Sequence, residues 1–144
     1  MRLFLAGLVV ALVACSDGKG ITGVEGELAV ERAAWNARGL EDYDLDLRHW
    51  SAWFPPVTVR IAVRDGLATS ARDRATDAVL PLVGRNAWTV DSVFEVAAGY
   101  AAQPGFNVAL LFHPTLRYPM AVYVDNPAWA DEEQYYEIVR LVAR

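Results

Sequence analysis

Apolar and polar residues alternate along residues 57–64, with Val57, Val59, Ile61 and Val63 on one side and Thr58, Arg60, Ala62 and Arg64 on the other. A side-chain period of two is that of a strand with one buried face. Asp65-Gly66 follows, a pair that accepts the positive φ of a two-residue hairpin turn, so residues 67–71 return as the next strand. Residues 43–50 alternate as well, Tyr43, Leu45 and Leu47 against Asp44, Asp46 and Arg48. Phe106, Val108, Leu110 and Phe112 alternate with Asn107, Ala109, Leu111 and His113, and residues 120–125 and 135–142 complete six predicted strands. Twice the period becomes helical. Over 27–38, Val30, Ala33, Ala34 and Ala37 fall on one face with Trp35 on its flank, and Gly39 closes the element. Over 90–102, Val90, Val93, Phe94, Ala97 and Ala101 form an apolar stripe behind Thr89 as N-cap, ended by Pro104-Gly105. Residues 72–87 hold no sustained period and, with Pro81 and Gly84, read as a long loop with one short apolar segment at 79–83.

The order helix, three strands, helix, three strands predicts an α+β domain. Its expected form is an antiparallel sheet of about six strands in two helix-plus-three-strand units, with both helices on one face. The strand opened by Pro56 lines up loosely with the one opened by Pro119, and each runs into an acidic turn. Duplication would explain this, since two small sheets with open apolar faces gain one larger core by pairing; chance likeness of two amphipathic strands explains it too. The expected core includes Val59, Ile61, Val63, Phe94, Val108, Leu110, Val122 and Val124, with Thr58, Arg60 and Arg64 exposed.

The N-terminus carries a different signal. Arg2 precedes an apolar stretch at 3–13, too short to span a bilayer as a stable helix. It ends in Leu12-Val13-Ala14-Cys15, which resembles the bacterial lipobox, and Cys15 is the only cysteine. The expected organisation is a lipoprotein signal peptide at 1–14, a lipidated flexible tether at 15–26 and a single domain at 27–144. The tether holds Gly18, Gly20, Gly23 and Gly26 and would reach roughly 17–20 Å as a random coil. Ser16 rather than aspartate follows the cysteine, which by resemblance to enterobacterial sorting implies the outer membrane, facing the periplasm. The membrane link is then the lipid on Cys15.

Charge narrows the partners. The chain stands at −5, with arginine supplying all but one of its thirteen basic residues. No basic run appears along the sequence, so nucleic acid is not an expected partner. With its one thiol committed to lipid, the fold stands on its core without disulfides.

Catalytic patterns are thin. His49 ends a strand and His113 precedes Pro114, each expected to face solvent or satisfy a turn, and no zinc-type spacing accompanies them. No G-x-S-x-G elbow or S-x-x-K occurs. No catalytic residue, metal ligand or cofactor is expected. The segment 125–133 gathers Asp125, Asn126, Asp131, Glu132 and Glu133 but lacks the glycine and alternation of a calcium loop, and reads as a solvated acidic turn. Asp44 and Asp46 can face Arg60 and Arg64 across neighbouring strands. The candidate interaction residues are aromatic: Trp50, Trp53 and Phe54 beside Pro55-Pro56, and Trp129 in the acidic turn. Such rings cap a sheet, touch headgroups or engage a partner.

Taken together, Trp35, Tyr43, the run 56–66 ending Val63-Arg64-Asp65-Gly66, the helix start Thr89-Val90-Asp91-Ser92-Val93-Phe94, the turn 113–119 and Asp125 resemble domain-of-unknown-function family 6174. That pattern has an acidic residue where His113 stands and glycine where Arg117 stands. The resemblance implies fold and a secreted or lipid-anchored setting, with no activity attached. The functional expectation is a membrane-tethered module that binds an envelope protein or a small ligand. The alternatives are an envelope hydrolase using carboxylates such as Asp125 and Glu132, or an inhibitor-type lipoprotein that blocks a hydrolase.

Overall fold

A computed structural model describes residues 23–144; the expected signal peptide, Cys15 and most of the tether lie outside the described residues. The helices are α1 (Val24–Asn36) and α2 (Val90–Ala101). The strands are β1 (Tyr43–Ser51), β2 (Phe54–Arg64), β3 (Leu67–Asp73), β4 (Val79–Leu80), β5 (Asn107–Phe112), β6 (Pro119–Asp125) and β7 (Gln134–Ala143). They form one antiparallel sheet in the order β4-β3-β2-β1-β7-β6-β5.

Local signals account for most elements. Asp65 and Gly66 take φ of +49° and +73°, the left-handed pair the β2–β3 hairpin needs. The Thr89 N–H donates to Ser92 Oγ at 3.1 Å where α2 begins. Pro55 and Pro56 sit in β2 at a bulge, where the pairing shifts between His49↔Val57 and Ser51↔Phe54. Pairing with β3 begins only at Val59, so neither proline must donate on that side.

Five expectations need correction. The sheet has seven strands, because Val79 and Leu80 of the expected loop pair with Arg72 and Ala71 before a 3-10 turn at Gly84–Ala87. The two helix-plus-three-strand units do not form as separate bodies: α1 packs on α2 and reaches β5 of the second run as well as Tyr43 of the strand that follows it. The residues Pro56 and Pro119 nevertheless fall in the middle strand of each three-stranded run. The apolar face of α1 is also different from the alanine stripe. Leu28, Glu31 and Trp35 are buried while Val30 is 65% exposed. A tryptophan gains far more from burial than alanines do, and Trp35 sets the helix's rotation by packing edge-on against Tyr43 and Tyr118. Val57 in turn is exposed, because it lies beyond the part of β2 that β3 accompanies.

The core joins the sheet residues Tyr43, Leu45, Leu47, Ile61, Val63, Val122, Val124 and Ile138 to Leu28, Trp35, Val93, Phe94 and Ala97 of the helices. Val59 belongs to it, and Val108 and Leu110 pack against it half-buried. Thr58, Arg60 and Arg64 are half-buried rather than exposed. Ion pairs between strands hold the two arginines against the sheet: Arg60 Nε donates to Asp46 Oδ1 and Arg64 Nη2 to Asp44 Oδ1, both at 2.9 Å.

Candidate functional site

A groove opens between the hairpin end of β1 and β2 and the 3-10 turn at Gly84–Ala87. Its volume is about 380 Å³, and Leu47, Phe54, Pro55, Val57 and Val59 wall it, with His49, Arg85 and Asn86 supplying the polar groups. Leu47 and His49 continue the buried alternation of Tyr43 and Leu45, so β1 turns the imidazole toward the helix side. The 3-10 turn brings Arg85 across to it, with Arg85 Nη1 3.1 Å from His49 Nε2. The guanidinium is always a donor, so His49 Nε2 accepts and the ring proton sits on Nδ1. Burial and the Arg85 charge both oppose protonation, against a smaller effect of Gln134, and hold His49 at about 4.

Aromatic packing fixes that imidazole. Its ring lies 4.8 Å from that of Tyr136, and the Trp88 ring packs on the same phenol at 5.3 Å. Tyr136 donates to Gln134 Oε1 at 2.5 Å, and burial pushes its phenol up. A smaller adjoining pocket of about 160 Å³ shares His49, Phe54 and Arg85 and adds Trp53 with Asp131, Glu132 and Glu133. The groove is thus apolar along one wall and carries a fixed cation, a neutral imidazole and nearby carboxylates at its end. Such a mixture suits an amphiphilic group.

The four aromatic candidates do not act as one cluster. Residues 50–56 form a tight hairpin, with Ala52 and Trp53 at its turn, instead of a loop. Phe54 protrudes at the groove and Trp53 at the adjoining pocket, 63% and 69% exposed. Trp50 points to the opposite sheet face, half-buried with its ring 5.9 Å from Tyr135. Trp129, exposed in the acidic turn, meets Phe106 edge-on. His49 is buried rather than solvent-facing. Its place was legible as the fourth member of the 43, 45, 47, 49 alternation, whereas nothing in the sequence links it to Arg85.

The chain belongs to a family of unknown function, DUF6174, whose model matches residues 27–143. A search of curated proteins finds no match. The two departures from the family pattern noted above now have structural explanations. His113 Nδ1 accepts from the Thr115 and Leu116 N–H groups at 3.2 and 3.0 Å, the turn-closing task an aspartate oxygen performs. Arg117 takes φ of +69°, a conformation glycine adopts without strain. What the arginine adds is an ion pair with Glu31, whose side chain is only 8% exposed. The other carboxylate oxygen of Glu31, Oε2, is buried without a partner among the described residues.

Proposed function

We propose that this protein is a lipid-tethered extracytoplasmic binding module whose ligand enters the groove beside Trp53 and Phe54. One observation carries the reading: exposed Phe54 walls a largely apolar groove and exposed Trp53 lines the pocket adjoining it, and both cavities share Arg85 and His49. Exposed aromatic surface costs hydration free energy that a partner's apolar group relieves. The ligand this suits is an apolar side chain or acyl-like segment with an acceptor or anionic end for the guanidinium, carried by an envelope protein or a small molecule. In this reading the protein is not an enzyme. Its domain spans 27–144, Cys15 bears the lipid, and the outer membrane is its address.

The hydrolase alternative placed Asp125 and Glu132 as acid and base. Glu132 lines the small pocket, while Asp125 ends β6 in alternation with the core residues Val122 and Val124, on the far face of the sheet. That separation favours binding over catalysis by this pair. An inhibitor that blocks a hydrolase would use the same aromatic hairpin. A photo-cross-linking amino acid tests the site, placed at Trp53 in one variant and at Trp129 in another. The reading expects one defined adduct from position 53 and none from 129, and an adduct lost when Arg85→Gln is added. Equal labelling from both positions, or none from 53, would overturn it.

A further inference from the structure

The sheet face turned away from the helices gathers charge that is scattered in the sequence. Alternation in β1 and β2 points Asp44, Asp46, Arg48, Arg60 and Arg64 to this side. Arg72, Arg60, Asp46 and Arg140 then stand opposite one another on four adjacent strands, β3, β2, β1 and β7. Arg74 Nε reaches Asp46 Oδ2 at 3.2 Å, and Arg144 Nε reaches Asp44 Oδ2 at 2.9 Å. Seven guanidinium groups therefore share this face. Their salt-bridge partners are Asp44, Asp46, Asp77 and Glu137, and Asp125 lies near Tyr123 on the same face, which leaves a surplus of two positive charges on a chain whose net charge is −5. Asp125 stands at the far corner, on β6.

Beside the arginines runs an aromatic row. Tyr123 pairs with Tyr135 and Tyr135 with Trp50, on β6, β7 and β1. Next to it Leu111 and Val139 are exposed at 57% and 53%. Seven strands at about 4.8 Å spacing make a surface roughly 30 Å wide. A broad sheet surface combining excess guanidinium with tyrosine and tryptophan is complementary to an extended anionic surface with an apolar layer beneath it. The guanidinium groups suit phosphate oxygens, and amphipathic rings suit the headgroup level of a bilayer.

We propose that the open sheet face, through Arg48, Arg60, Arg72 and Arg140 with Trp50 and Tyr135, docks on the surface of an anionic phospholipid bilayer. Docking there turns the groove and its hairpin away from the lipid, toward a partner. The proposal does not rest on the groove's ligand and stands if that reading fails.

The test uses the full chain carrying Cys15→Ser, so that no acyl group contributes, and co-sedimentation at low salt. Vesicles of phosphatidylcholine alone set the baseline against vesicles containing phosphatidylglycerol. Arg72→Gln with Arg140→Gln removes two cations that do not hold Asp46 or Asp44 in place, so the fold is kept, as circular dichroism will show. An arginine near an anionic leaflet is worth about fivefold in partitioning, and the pair is expected to lose about twentyfold of the phosphatidylglycerol-dependent binding. Arg32→Gln with Arg38→Gln removes the same charge elsewhere and is expected to lose little. Binding indifferent to phosphatidylglycerol would overturn the proposal. So would equal losses from both variant pairs, or capture of soluble polyglutamate in preference to vesicles.

Discussion

Replacing Arg117 with glycine opposes two effects whose sizes the structure lets us weigh. Arg117 sits at φ +69°, and a left-handed conformation costs a residue with a Cβ about 1–2 kcal/mol. Glycine relieves this but loses about 0.5–1 kcal/mol more backbone entropy on folding, so the local gain is about 0.5–1 kcal/mol. Against it stands Glu31, which keeps a buried carboxylate and loses its cation. Breaking a fully buried pair costs about 3–5 kcal/mol. The Arg117 side chain is 38% exposed, and solvent screening reduces the figure to about 2–3 kcal/mol. The net expectation for Arg117→Gly is a loss of about 1–2 kcal/mol, read as a fall in Tm of roughly 3–8 °C for a domain of this size. Adding Glu31→Leu removes the stranded charge and joins Leu28 and Trp35 in one apolar stripe. The double variant should then match or exceed the parent. Urea unfolding of parent, both singles and the double gives the coupling directly. If Arg117→Gly alone raises stability, or the double is no better than that single, the ion pair is not what compensates the strained turn.

Ile61 is fully buried, so Ile61→Ala should cost about 2–5 kcal/mol in urea unfolding. Arg60→Ala should cost about 1 kcal/mol, since Arg74 still pairs with Asp46. Similar losses at the two would contradict the observed register. His49 is held at about 4 in the folded chain, below its ordinary 6.5. The unfolded chain therefore binds the proton first, and stability present above pH 6.5 falls as pH drops toward 4, by about 2–3 kcal/mol. His49→Gln should flatten that limb of the pH–stability curve. Trp53→Ala should leave Tm nearly unchanged, whereas Trp50→Ala, which uncovers Tyr135, should lower it; the reverse order would exchange their assigned roles. Cys15→Ser should abolish lipid labelling, and membrane retention with normal cleavage would refute the anchor.

Where local geometry decides, the chain alone determined the outcome. A strand repeats every two residues and a helix every 3.6, so neighbours in sequence suffice to place Leu45, Ile61, Val63, Phe94, Val122 and Val124 inside. Asp65-Gly66 determines its own turn in the same way. Tertiary structure decided whatever depends on which segments become neighbours. Alanines and a tryptophan offered α1 two competing faces, and only the presence of Tyr43 and Tyr118 beneath it selected the Trp35 side. Val79 and Leu80 are too short to register as a strand until β3 offers an edge. Arg85 reaches His49 across 36 residues. Arg60, Arg72 and Arg140 form a row because β1 lies between β2 and β7, a strand order set by the burial that non-local pairing achieves, which sequence periodicity does not encode.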